Sequence, residues 1–194
     1  DLKRVMSSPY SPKLYTFDIE TEVSNEFPEP SIAAQKVTAI ALVGPDLSCI
    51  VFGLHSLSEE SKNLFKERYL DFIRNNEFAS RLLKSKFNNK EPKVLYQYFA
   101  SEEDLLKHWY NIILPKVPAI AGWNSYRFDF MYLNNRYSKL FSKAELMNAL
   151  RKISPTGETR TIKWDEKIFD APNRINAPSH TAWLDYMKLC EKYD

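Results

Sequence analysis

A chain of 194 residues, 44% hydrophobic and 14% aromatic, is long enough for one domain with its own core, which excludes a disordered protein. The net charge of +2 excludes a strong basic field over the whole surface, and two cysteines exclude a disulfide framework. The sequence contains neither a signal peptide nor an apolar run as long as a membrane-spanning helix, so we expect no membrane partner.

The charged residues are unevenly distributed along the chain. No Lys or Arg lies between Lys13 and Lys36, whereas five acids do: Asp18, Glu20, Glu22, Glu26 and Glu29. Residues 62–93 carry nine Lys and Arg side chains against four acids. An acidic pocket with basic flanks suits a cation bound beside a polyanion, although solvated helix faces account for most of these lysines.

The first predicted strand carries a pair of acids. Residues 1–12 contain two prolines and are interpreted as a lead-in, and the strand is expected at 13–20. Asp18 and Glu20 would project from one face, and the apolar side chains between them from the other. Because two neighbouring carboxylates repel each other without a proton or cation between them, this strand end is a candidate divalent-metal site. A solvated strand end is the alternative, since short patterns often occur by chance.

The middle of the chain alternates loops, strands and helices. Two prolines mark a loop at 22–31, in which Phe27 would either plug the core or stack on a base. The next predicted elements are an antiparallel strand pair at 36–43 and 48–52, a helix capped by Ser58, a second helix near 78–86 and a strand at 93–99.

Further helices and a short strand follow. Ser101 is predicted to cap a helix that ends at Pro115 and buries Leu105, Leu106, Trp109, Ile112 and Ile113. A buried strand at 119–124, a helix within 125–136 and a helix capped by Ser142 come next. Residues 154–180 indicate an irregular hairpin, and residues 181–193 leave strand and helix equally open. This alternation predicts an α/β fold with a mixed sheet.

Asp129 is a third candidate site residue. It begins a helix that leaves a buried strand, where the helix dipole favours an ionised carboxylate aimed at the end of the sheet. Asn124, at the exit of that strand, would point the same way. An ordinary acid in the first turn of a helix is the alternative interpretation.

These residues fall in an ordered set of motifs: Phe17-Asp-Ile-Glu20, Phe27-Pro-Glu-Pro30 and Gly122-Trp-Asn-x-x-x-Phe-Asp-x-x-Tyr-Leu-x-x-Arg136. The set resembles the first two exonuclease motifs of family B DNA polymerases, in particular those of T-even-like phages. Trp183-Leu-Asp-Tyr-Met-Lys-Leu189 resembles the stretch that follows the exonuclease hairpin of that family. Two separated motifs of several residues in the correct order are a strong signal.

The resemblance implies a ribonuclease-H-like mixed sheet flanked by helices, with an irregular β-hairpin insertion at 154–180. It implies a single 3′→5′ proofreading exonuclease domain over residues 1–194. Asp18, Glu20 and Asp129 would be catalytic ligands of a two-metal Mg²⁺ or Mn²⁺ site. The substrate would be contacted by Phe27, Asn124, Phe128 and Tyr132. The implied partners are a single-stranded DNA 3′ end and the remainder of a polymerase chain, in a monomer acting in the cytoplasm of a bacterial host.

One motif of that family is missing from the sequence. The third motif, Tyr-x-x-x-Asp, supplies the last metal-binding Asp, and Tyr186-x-x-x-Cys190 does not replace it. We therefore expect a fragment that ends before this motif, holds three of four carboxylates, binds metal weakly and hydrolyses DNA little.

Two other functions remain open on the residues. One is a nucleic-acid-binding or structural module without chemistry, and the other is a different ribonuclease-H-like nuclease such as a resolvase. Zinc chemistry is disfavoured, because His55, His108 and His180 are far apart in sequence. A Gly-rich phosphate loop is disfavoured by a total of only four glycines.

Overall fold

The computed structural model describes residues 13–23, 25, 27–88, 90–164, 174–179 and 181–193. Its strands are β1 Leu14–Thr21, β2 Val37–Val43, β3 Cys49–Gly53, β4 Val94–Tyr98, β5 Ala119–Gly122, β6 Thr159–Lys163, β7 Arg174–Pro178 and β8 Ala182–Asp185. Its α-helices are α1 Glu59–Asn75, α2 Glu77–Phe87, α3 Glu102–His108, α4 Asp129–Leu140, α5 Lys143–Ile153 and α6 Tyr186–Tyr193.

Six strands form one mixed sheet in the order β4-β3-β2-β1-β5-β8. The pairs β1–β2 and β2–β3 are antiparallel, whereas β3–β4, β1–β5 and β5–β8 are parallel. The predicted α/β class with an antiparallel start is therefore confirmed. The carboxyl ends of the parallel neighbours β1, β5 and β8 lie at the same edge of the sheet, which brings together residues distant in sequence.

Serine caps begin three of the helices at the positions that the sequence predicts. The hydroxyl of Ser58 accepts a hydrogen bond from Ser61 N, that of Ser101 from Asp104 N, and that of Ser142 from Glu145 N. Each bond satisfies a backbone N–H that the first helical turn leaves without a partner.

The end of the helix that Ser101 caps differs from the prediction. After α3 the backbone continues as a π-helical turn, Trp109–Ile113, and a 3-10 turn, Leu114–Lys116, which contains Pro115. The wider π turn rotates later side chains away from the 3.6-residue period. Ile112 is consequently 44% exposed, and the prediction that it is buried was wrong.

The core lies between the sheet and the segment α3–α5. Phe17 of β1 stacks on Trp109 with ring centroids 5.9 Å apart, and Phe130 of α4 stacks on Trp183 of β8 at 4.1 Å. All four rings are at most 3% exposed. Phe130 also contacts Phe17 with ring centroids 4.6 Å apart, so α4 packs against both β1 and β8.

The last part of the chain completes the sheet. Strands β6 and β7 pair antiparallel as a separate two-stranded sheet, which confirms a hairpin within 154–180. The predicted lead-in at 1–12 and residues 165–173 and 180 of the predicted hairpin region lie outside the described residues. Residues 182–193, which the sequence left open, form β8 and α6. None of the described helices is long and apolar enough to span a membrane.

Candidate active site

Asp18 and Glu20 lie in the last residues of β1, on the face opposite the core. Both side chains are exposed, whereas Phe17 and Ile19 beside them are 3% and 6% exposed. The predicted alternation is therefore confirmed. The register with β2 shifts between Glu20 and Thr21, so the strand becomes irregular directly after the two acids.

Asp129 is the first residue of α4 and is 3% exposed. Its side chain forms a hydrogen bond with that of Asp18, whereas its Oδ1 atom is buried without a hydrogen-bond partner. A buried carboxylate oxygen without a partner is energetically costly, because burial removes its solvating water. Asp18 and Asp129, which are 111 positions apart in the sequence, thus share one site.

Burial raises the pKa of Asp129 from 3.8 to about 7, and the negative charge and side-chain hydrogen bond of Asp18 add to the rise. Backbone N–H groups of Asp129 and Ile19 oppose the shift without cancelling it. We expected the helix dipole to favour the ionised carboxylate, and in the metal-free protein burial and the charge of Asp18 outweigh that effect. A helix N-terminus contributes about 0.3–1 kcal/mol, less than the cost of desolvation and like charge.

The turn between β5 and α4 is anchored to β8, and this sets the position of Asp129. Ser125 Oγ donates a hydrogen bond to Leu184 O at 3.0 Å, and Tyr126 N donates to Asp185 Oδ2 at 3.0 Å. Gly122 permits the close approach, since a Cβ there would lie 2.9 Å from the Cβ of Ser125 and 3.2 Å from Phe17 O.

Asp185 is a residue whose role the sequence analysis missed. It is 1% exposed, and its Oδ1 accepts a hydrogen bond from Met187 N at 3.0 Å while its Oδ2 accepts from Tyr126 N. It therefore caps α6 and also holds the turn that leads to Asp129. An acid directly before apolar residues with helical spacing is a cap signal that could have identified it.

Asn124 lies in the same turn, two residues beyond β5. Its backbone has a left-handed φ of 53°, and its Oδ1 is buried without a hydrogen-bond partner. Asparagine tolerates this conformation better than most residues. Its predicted contact with substrate remains a prediction, and an unpartnered amide oxygen in the turn before Asp129 is compatible with it.

The aromatic candidates form a row at the rim of the site. Phe27 is 82% exposed, and its ring centroid lies 5.6 Å from that of Phe128, which lies 5.8 Å from that of Tyr132. Tyr132 is fully buried, and its hydroxyl donates to Gln35 O at 2.8 Å. The Tyr132 ring has no exposed surface and lies against Phe128, and its predicted contact with substrate stays a prediction.

A divalent cation fits the pair Asp18 and Asp129. Carboxylate oxygens are the ligands that Mg²⁺ and Mn²⁺ prefer, and a cation would satisfy Asp129 Oδ1 and relieve its repulsion with Asp18. Within the described part of the chain, however, no three Asp, Glu, His or Cys side chains converge closely enough to hold a metal ion. The structure thus brings Asp18 and Asp129 together. Glu20 lies on the same strand face as Asp18 but does not complete a cluster of three ligands.

The mixed sheet and its flanking helices are consistent with a ribonuclease-H-like exonuclease domain. The sequence model described as "DNA polymerase family B, exonuclease domain" matches residues 3–193, and the chain belongs to this family. The predicted resemblance to family B polymerases is thereby confirmed. Membership also decides against an unrelated ribonuclease-H-like nuclease such as a resolvase.

Two phage proteins are similar to this chain. The DNA-directed DNA polymerase of Escherichia phage RB69 is 27% identical over 186 residues, which cover 93% of this chain and 19% of the phage protein. The DNA-directed DNA polymerase of Enterobacteria phage T4 is 28% identical over 102 residues, or 52% of this chain and 11% of that protein. The chain therefore spans at most about a fifth of the length of these relatives.

Proposed function

We propose that the chain is the 3′→5′ exonuclease domain of a DNA-directed DNA polymerase, which removes nucleotides from single-stranded or frayed primer ends. The observation that carries this proposal is the buried Asp129 carboxylate, with an unpartnered oxygen beside Asp18. A protein that needed this acid only for folding would satisfy both oxygens. A site that awaits a cation and a phosphate leaves one of them open.

Asp18, Glu20 and Asp129 would hold the Mg²⁺ or Mn²⁺ ions of a two-metal site. Such ions supply a nucleophilic water at neutral pH and neutralise charge on the leaving oxygen. The position of Asp129 at the start of α4, after the turn anchored on Asp185, supports this role. Exposed Asp18 and Glu20 face the solvent side, from which a nucleic-acid strand would approach.

The aromatic rim would bind the unpaired end of the strand. Phe27 presents an exposed ring supported by Phe128, and stacking on such a ring is worth about 1–3 kcal/mol per base without regard to sequence. Asn124 would contribute an amide at the turn before Asp129. Because stacking requires an unpaired base, this rim selects the frayed ends that mismatches produce.

We further propose that residues 1–194 act as one exonuclease domain beside the remainder of a polymerase chain. In this arrangement the β6–β7 hairpin would guide the primer strand. A monomeric state and action in the cytoplasm of a bacterial host are proposed from the similarity to phage polymerases alone.

Calorimetric titration with Mn²⁺ tests the proposal. We expect weak binding by the chain, which Asp18→Asn and Asp129→Asn abolish and which the control Glu60→Gln, at an exposed acid of α1, leaves unchanged. Hydrolysis is expected to be slow, with a 5′-labelled oligonucleotide shortened stepwise from its 3′ end. Mn²⁺ binding that is insensitive to both aspartate substitutions would contradict the proposed site.

The second candidate is a single-stranded DNA-binding module of a polymerase that lacks chemistry. It is favoured by the finding that no three potential ligands converge among the described residues. The two functions differ in the role of the carboxylates. A module would bind the oligonucleotide equally well with and without Mn²⁺, would not shorten it, and would tolerate Asp18→Asn.

A further inference from the structure

The loop that joins β1 to β2 is tied to α4 by side chains of that helix. Three residues of α4 donate hydrogen bonds to four backbone carbonyls of the loop: Asn135 to Pro30 at 2.8 Å, Tyr132 to Gln35 at 2.8 Å, and Arg136 to Ala33 at 3.2 Å and Ala34 at 2.8 Å. The loop carbonyls therefore take their position from the helix that begins with Asp129.

Arg136 is the centre of this connection, and Glu102 of α3 holds it in place. Its Nε and Nη2 atoms donate to Oε1 and Oε2 of Glu102 at 2.8 and 2.7 Å, while Nη1 reaches the loop. Glu102 Oε1 also accepts from Val37 N, the first residue of β2, at 2.7 Å. The two side chains are 8% and 4% exposed, so the pair is protected from water.

Phe27 lies at the start of the segment that is held in this way. Its only described ring contact is with Phe128, which directly precedes α4. An 82% exposed ring has few contacts of its own to fix it, so its position depends on the backbone that follows. That backbone is bound to α4 from Pro30 onward.

We propose that Arg136, oriented by Glu102, is a positioning residue that sets the distance between the Phe27 ring and the carboxylate of Asp129. One helix would then carry the carboxylate at its first turn and hold the stacking loop two turns later. A terminal base on Phe27 would consequently place its phosphodiester at a fixed point beside Asp18 and Asp129. This inference rests on the proposed function, because it assigns Phe27 to the binding of an unpaired base.

A purely structural ion pair would have the same geometry, so the test needs a readout that stability alone does not change. Arg136→Lys keeps the charge, but an ammonium group cannot make the forked contact with Glu102 and reach the loop carbonyls as well. A double-mutant cycle with Phe27→Ala then shows whether Arg136 acts through the ring.

The dissociation constant of a fluorescein-labelled single-stranded oligothymidylate is measured by anisotropy in EDTA, well below the unfolding temperature of each variant. We expect Phe27→Ala and Arg136→Lys each to weaken binding about 10-fold, the size of one lost stacking contact. The double variant should bind within about two-fold of Phe27→Ala. The control Arg151→Lys, on the exposed end of α5, should bind like the unchanged chain.

Tryptic cleavage after Lys36, followed by mass spectrometry, reports release of the loop separately and should accelerate in Arg136→Lys. Unchanged oligonucleotide binding in Arg136→Lys, or losses that multiply in the double variant, would overturn the positioning role. If Phe27→Ala binds the oligonucleotide like the unchanged chain, Phe27 does not stack on a base. The base-binding role of Phe27 and the positioning role of Arg136 then both fail. Faster cleavage in Arg136→Lys would then show that the connection holds only the loop.

Discussion

Two buried acids in this protein have the same local setting and opposite surroundings. Glu102 and Asp129 are each the first residue of a helix, and they are 4% and 3% exposed. Glu102 accepts two hydrogen bonds from Arg136 and one from Val37 N. Asp129 faces a second carboxylate, Asp18, and keeps one oxygen without a partner.

The difference shows that burial of a carboxylate does not by itself indicate a functional site. A buried carboxylate whose two oxygens both accept hydrogen bonds is called a closed site below, and its cost of desolvation is offset within the protein. A buried carboxylate with one unpartnered oxygen and a raised pKa is called an open site below, and it destabilises the fold until it binds a cation or a proton. Helix α4 begins with Asp129, which is the open site, and it contacts Glu102, which is the closed site, through Arg136.

The largest expected effect comes from breaking the closed site. Glu102→Ala leaves the Arg136 charge buried and Val37 N without its acceptor, so we expect a loss of about 3–5 kcal/mol in the free energy of unfolding. Urea denaturation measures it. The neighbouring exposed acid provides the control, since Glu103→Ala should change stability by less than about 0.5 kcal/mol. Equal effects at the two positions would refute the contrast.

The open site should respond to substitution with the opposite sign. The unfolded chain ionises Asp129 near pH 3.8 and the folded chain only near 7, so its contribution to stability falls as pH rises between these values. Above pH 7 the ionised Asp129 carboxylate destabilises the folded chain by at most roughly 4 kcal/mol, which is the free energy that corresponds to this pKa shift. Asp129→Asn should therefore stabilise the metal-free chain by about 2 kcal/mol at pH 8 and flatten this pH dependence.

The matched control for that experiment is Asp185→Asn. Asp185 is equally buried, but both of its oxygens accept backbone N–H groups, so the same substitution should destabilise the chain. Urea denaturation between pH 4 and 8 gives both results. Stabilisation by Asp185→Asn, or none by Asp129→Asn, would break the distinction between closed and open sites.

A divalent cation should relieve the open site without substitution. At a concentration ten times its dissociation constant, Mn²⁺ should stabilise the chain by about 1.4 kcal/mol, and thermal unfolding at pH 8 detects the shift. Asp129→Asn should remove this response, because the substituted side chain no longer carries the charge. A response of equal size in Asp129→Asn would place the cation elsewhere.

The smallest effect is expected at the exposed partner of the open site. Asp18→Asn removes the like charge that raises the pKa of Asp129, so the metal-free chain should gain less than about 1 kcal/mol at pH 8. The gain is small because solvent screens an exposed charge. Glu59→Gln, at an exposed acid that pairs with Lys62, serves as the control and should show no gain.

Local sequence signals predicted most of the elements for a simple reason. Serine caps, apolar alternation and prolines act over a few residues, so α1, α3, α5 and the strand pair β2–β3 could be located without knowledge of the tertiary structure. The prediction failed at Ile112, because a π turn changes the helical period. It left residues 182–193 open, because β8 depends on pairing with β5.

The site shows the same division. The ordered motifs identified the family. They also indicated Asp18 and Asp129 as candidate metal ligands, because these acids lie at a strand end and at a helix start. The sequence alone did not reveal the roles of Glu102, Arg136 and Asp185. Their importance lies in contacts between residues 34 and 59 positions apart, which no local pattern encodes.

The sequence by itself determined the class of fold, the exonuclease family and the acids that are candidate cation ligands, since these depend on residue types and their order. Only the tertiary structure decided which buried acids have hydrogen-bond donors for both oxygens and which keep one oxygen without a donor. Whether a buried carboxylate finds donors depends on the backbone and side chains packed against it from other elements. At Asp129 that packing placed a second acid, Asp18, beside the carboxylate and left its Oδ1 without a donor.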